Sequence, residues 1–137
     1  MNDENDIKQR YIGQVWRMLK AYKDNFDNNT IIAGDFNWNV IWDRTSKTSL
    51  YGTLSDVMGD LKKLKIESLY HNINNEEFGE EKGATFFMYR KEEKKYHTDY
   101  IFASHNIINS VIEFKVGKYD EWKEFSDHMP IFLDFLI

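Results

Sequence analysis

The sequence contains no cysteine, which removes disulfides, thiolate zinc sites and a thiol nucleophile together. It has one proline in 137 residues, and with 42% apolar and 16% aromatic side chains it is composed as a globular chain, not a disordered one. Positive charge is in deficit: the formal net charge of −5 argues against a broadly basic nucleic-acid surface. A phosphate substrate held through a metal stays open, because the local field decides that contact. The one dense lysine run is 91–95, so long duplex DNA is disfavoured. No apolar run reaches the length of a membrane span. The opening Met1–Asp6 is acidic and polar, unlike a signal peptide, and predicts a frayed terminus on a cytoplasmic protein. A chain this long makes one domain, 1–137, able to bury roughly two-thirds of its unfolded surface.

What is present alternates between helical and strand patterns. Tyr11, Val15, Met18, Leu19, Tyr22 and Phe26 recur at helical spacing and predict an amphipathic helix over 8–25, with Trp16 off the stripe. Thr30-Ile31-Ile32-Ala33 reads as a buried strand ended by Gly34. The irregular stretch 38–53 is long enough to cover a site, and its Trp38 and Trp42 suit either base stacking or core packing. Ser55 is a candidate N-cap for a helix over 55–65, and 66–70 reads as a short strand or a continuation into a turn. Residues 71–83 read as loop; 84–90 and 96–103 read as a hairpin around the charged run. One helical turn at 105–109, a strand over 110–116, a connector anchored by Trp122 and a last strand after Pro130 complete the chain. The expected class is a single α/β or α+β layered unit.

The polar groups gather at strand ends. Gly34-Asp35-Phe36-Asn37-Trp38-Asn39 sets a carboxylate and an amide two positions apart, on one side if the chain stays extended, as half of a hard-cation site. Asp99 lies among Tyr100, Ile101 and Phe102, so its charge needs a partner, and an imidazolium would supply one. Asp127 and His128 are neighbours whose side chains diverge, so each serves a different contact. His71, His97 and His105 read as loop or surface histidines.

GDFN after an apolar strand, then HTDYIFAS, then SDHMPI, in that order, resemble the endonuclease/exonuclease/phosphatase superfamily, the group of DNase I-like enzymes. The resemblance runs from about Tyr11 to Ile137. It implies half of a four-layer sandwich: one mixed, mostly antiparallel sheet with helices on its outer face, and an inner face left apolar and open to homodimer formation. It also implies Mg²⁺- or Mn²⁺-dependent hydrolysis of a phosphodiester or phosphomonoester, with nucleic acid among the candidate substrates. Asp35 would hold the attacking water, Asn37 would contact phosphate or metal, His128 would act at the phosphoryl group and Asp99 would orient it. Asp127, with Asp35 and Asn37, would hold the metal, weakly, since the family's first-half glutamate ligand has no counterpart before Tyr11. The alternative is a catalytically silent remnant serving as a binding or oligomerising module.

Overall fold

The computed structural model describes residues 10–44 and 51–137. The expected frayed terminus at Met1–Asp6 and the middle of the expected covering loop, 45–50, lie outside them.

The central strand is β5, Asp99–Ser104, and its sequence explains its place. Alternation sends Tyr100 and Phe102 to one face and Ile101 and Ala103 to the other, and all four are buried. A strand apolar on both faces must be covered on both. β1 (Ile31–Asp35) and β2 (Ile66–Ser68) flank it, each antiparallel, in the order β1-β5-β2. Helices α1 (Tyr11–Tyr22) and α2 (Leu54–Lys63) cover the tyrosine face through Ile12, Leu19, Leu54, Val57 and Leu61. The other face packs on α4 (His105–Ile108) and on the antiparallel pair β6 (Val111–Val116) and β7 (Ile131–Phe135), through Phe114, Ile131 and Leu133. The inner face is therefore not bare at β5. A separate two-residue ladder joins β3 (Phe86–Phe87) to β4 (Lys95–Tyr96). The class is mixed α and β as expected, with the strands among the described residues divided among three antiparallel groups.

Several local expectations change. β1 is an edge strand and mostly exposed, since among the described residues only β5 has neighbours on both sides. In α1 the packed face is Ile12, Val15, Trp16 and Leu19; Tyr11, Met18 and Tyr22 are exposed. Trp16 thus belongs to the packed side, its Nε1–H donating to Asp60 at 2.8 Å. Thr53, not Ser55, caps α2, in a reciprocal capping box with Asp56. Ser55 instead gives its N–H and hydroxyl to Asp43, at 3.0 and 2.8 Å. The presumed loop after residue 70 begins with α3 (Leu69–Asn74), and the connector at Trp122 contains α5 (Tyr119–Trp122).

Candidate active site

β1 ends and β5 begins at one point, and the register sets Asp35 directly opposite Asp99. Like charges facing each other across a ladder are destabilising. A third element relieves this: residues 127–129 run beside β3, with Phe87 N–H donating to the Asp127 carbonyl at 2.8 Å and Met129 N–H to the Thr85 carbonyl at 2.7 Å. That pairing brings Phe86 opposite His128 and stacks their rings at 4.6 Å. Ser126 Oγ accepts the His128 N–H at 3.0 Å and tightens the turn.

His128 Nδ1 then lies 3.1 and 3.0 Å from the two oxygens of Asp99. A carboxylate only accepts, so Nδ1 carries the hydrogen and Nε2 faces the other way. Nε2 is 3.9 Å from Asp35 Oδ2, beyond direct bonding distance. Asp99 is held in turn: Thr98 Oγ1 donates to it at 3.1 Å, and its own N–H donates to Thr85 Oγ1 at 3.1 Å. Its side chain is 16% exposed, against about a third for Asp35 and His128. The site is open on the Asp35 side and closed behind Asp99.

The Asp35 turn differs from the extended form expected. Gly34 remains inside β1, paired with Tyr100, and the reversal comes at Asn37, whose φ is 51°. Asparagine tolerates that left-handed conformation, and Asp35 Oδ1 secures it by accepting the Asn37 N–H at 2.7 Å. Asp35 and Asn37 therefore do not share one side of an extended chain. Asn37 is exposed, and among the described residues no hydrogen bond reaches its side chain or that of Asp127.

Ligand atoms of Asp35, Asp99 and His128 all lie within 4.8 Å of one another, and Asp127 does not join them. Among the described residues no lysine or arginine pairs with either carboxylate. Two opposed carboxylates, Asp35 open to solvent and Asp99 largely covered, fit a hard divalent cation, which prefers oxygen ligands. No protein-family model matches the chain, and no curated protein matches it significantly.

Residues that sequence reading passed over support this site. Thr85 is fully buried, and its Oγ1 accepts the N–H groups of both Thr98 and Asp99. Asn39 is 3% exposed; its amide donates to the His97 carbonyl at 2.9 Å and so ties the Asp35 turn to the start of β5. The Tyr100 hydroxyl lies 3.0 and 2.9 Å from the carbonyls of Trp38 and His97, and burial pushes its pKa up. His97 and His71 are buried, contrary to the surface reading; His105 is exposed and pairs with Glu67 at 2.8 Å. Trp38 packs on the core with its Nε1–H on Asp43 at 2.7 Å, so Asp43 braces the loop and the α2 start. The signal for these residues was weak, because each is a single polar residue in an otherwise ordinary stretch.

Proposed function

We propose that the chain is a metal-dependent phosphoester hydrolase of the endonuclease/exonuclease/phosphatase kind, acting through Asp35, Asp99 and His128. The observation that carries this is the convergence of three groups from positions 35, 99 and 128, with one carboxylate fixing the imidazole and the other facing its free nitrogen. Among the described residues no helix is long and apolar enough to cross a membrane.

The gap between Nε2 and Asp35 Oδ2 suits a small bridging group. A water at about 2.8 Å from both atoms sits at an apex of about 90°. Asp35 is then the acceptor for the proton of the attacking water. His128, oriented through Nδ1–H by Asp99, offers Nε2 to a phosphoryl oxygen when protonated, or passes that proton to the departing oxygen. Asn37 reaches the phosphate from the rim. Asp35, with Asp99 opposite it, would hold Mg²⁺ or Mn²⁺, whose charge would offset that developing on the phosphoryl oxygens; Asp127, expected as a ligand, stands outside that group.

The test is hydrolysis of bis-p-nitrophenyl phosphate with Mg²⁺ or Mn²⁺, beside Asp35→Ala and His128→Gln. Metal-dependent turnover should fall about 10²–10⁴-fold in each variant, the usual size of a proton-transfer contribution. Folded wild-type protein without turnover, or turnover unchanged in both variants, would refute the proposal and leave an architecture without the chemistry.

A further inference from the structure

A second chain of polar groups lies away from Asp35, Asp99 and His128 and shares no side chain with them. Ser68, at the junction of β2 and α3, sits 2.7 Å from His71 Nδ1 through its hydroxyl. His71 Nε2 is 3.0 Å from Glu81 Oε1. All three are buried: Ser68 is 4% exposed, and the side chains of His71 and Glu81 are 7% and 4% exposed.

The hydrogen-bond polarity follows from the acid. A carboxylate only accepts, so the Nε2–H donates to Glu81, and in the neutral ring Nδ1 accepts from the Ser68 hydroxyl. Ser68 stands where a serine ordinarily caps a helix, yet its hydroxyl takes no N–H from α3. It is committed to the imidazole. Glu81 is held charged: burial works to raise its pKa, but hydrogen bonds from His71 and the Gly79 N–H outweigh burial and leave it lowered. The Phe78 ring lies parallel on His71 at 3.6 Å and fixes the imidazole plane. A hydroxyl on a base, with the base oriented by a buried acid, is the arrangement that activates a serine.

This chain lines a cavity of about 440 Å³, walled by Met58, Ile66, Phe78 and Phe102 with Ser68 and His71 among its polar groups. That size suits a small organic ligand whose apolar part packs on Met58, Ile66, Phe78 and Phe102, within a rim charged by Lys62, Glu67, Glu76 and Glu77. We propose that Ser68 is a nucleophile for carboxylic esters with an apolar acyl group, with His71 as its base and Glu81 orienting His71. Ser68 Oγ bonds to the carbonyl carbon while its proton passes to Nδ1. The ester C–O bond breaks, and the departing alkoxide takes that proton. Water, deprotonated by His71, then releases the carboxylic acid and restores the hydroxyl.

The test treats the folded chain with an alkyl fluorophosphonate and locates the adduct by intact mass and peptide mapping. One phosphonyl group on Ser68 is expected, with none on Ser68→Ala. Labelling should slow about 10²-fold or more in His71→Gln, the scale of losing a general base. Asp35→Ala should label as wild type does, which separates this result from the fate of the phosphoesterase proposal. A second readout is p-nitrophenyl butyrate hydrolysis, lost in Ser68→Ala. The peptide map of wild type decides the matter even where His71→Gln fails to fold. No adduct, an adduct on another residue, or labelling unchanged in folded His71→Gln would overturn the proposal and leave a buried network that only braces residues 75–83.

Discussion

Replacing Thr85 by valine keeps the side chain's shape and removes one oxygen. In the native fold that oxygen accepts two backbone N–H groups, from Thr98 at 3.0 Å and Asp99 at 3.1 Å. Thr85 itself is fully buried and Thr98 is 3% exposed, so water cannot replace the first bond. A buried donor left without an acceptor costs about 1–3 kcal/mol. The second lies at the edge of the open site, where partial rehydration brings its cost toward the low end. The sum is about 2–4 kcal/mol, and with a mid-range urea slope of about 2 kcal/mol/M it lowers the midpoint by roughly 1–2 M. Thr85→Ser keeps the acceptor and loses a methyl group, about 1 kcal/mol. The assay is urea unfolding followed by tryptophan fluorescence on the three proteins. If valine stays within about 0.5 kcal/mol of wild type, or serine proves the worse variant, the hydrogen-bond reasoning is wrong and Thr85 acts by packing alone.

Asp99→Asn should leave the fold intact and lower any phosphodiester turnover by about 10²–10⁴-fold, since the amide no longer fixes which His128 nitrogen carries the proton; unchanged kcat would exclude the orienting role. Burial lowers the pKa of His97 below its usual 6.5, its bond to the Gly83 carbonyl opposing the shift without cancelling it. The folded state therefore binds fewer protons, so stability should fall as pH drops below 6.5, by up to about 1.4 kcal/mol per unit. Glu81, lowered from 4.5, adds in the same direction under more acid conditions. Urea midpoints at pH 7.5, 6.0 and 5.0 check this, and a flat profile contradicts it. Gly117→Ala would put a methyl carbon 2.7 and 2.8 Å from two Pro130 ring atoms and 2.8 Å from the Trp122 indole. Neither ring can yield, so a loss of about 1–3 kcal/mol is expected in thermal or urea unfolding; a neutral result would mean the 117–130 connection shifts freely.

Strand β5 was readable because Tyr100-Ile101-Phe102-Ala103 is an unbroken run of apolar strand formers, and the three strand-end motifs named Asp35, Asp99 and His128 before their proximity was known. The α1 face was misjudged because apolar residues occur nearly all round that helix. Choosing Ile12, Val15, Trp16 and Leu19 over Tyr11, Met18 and Tyr22 depends on what α2 presents. The burial of β1 failed for a related reason: β-branched composition marks a strand, and only pairing tells an edge from a centre. Glu81 sits in a Glu-Glu-Lys run that reads as solvent-facing, yet its partners His71 and Asn39 come from 10 and 42 residues away. No local window contains them. The same holds for Thr85, which reads as one more strand former until the backbone of residues 98 and 99 is set against it.

The facing of Asp35 and Asp99 across the β1–β5 ladder makes the spacing of the chain a tolerance map. Side chains alternate in a ladder, so one residue added or removed within 31–35 or 99–104 turns a carboxylate to the opposite surface while every backbone bond can re-form. In the exposed edge strand 31–35 such a variant would lose its chemistry and keep the core; in 99–104 it would also turn the buried Tyr100 and Phe102 out of their layer. The charged turn at 91–94 joins β3 to β4 and enters no part of that count, so loop grafts and affinity tags belong there.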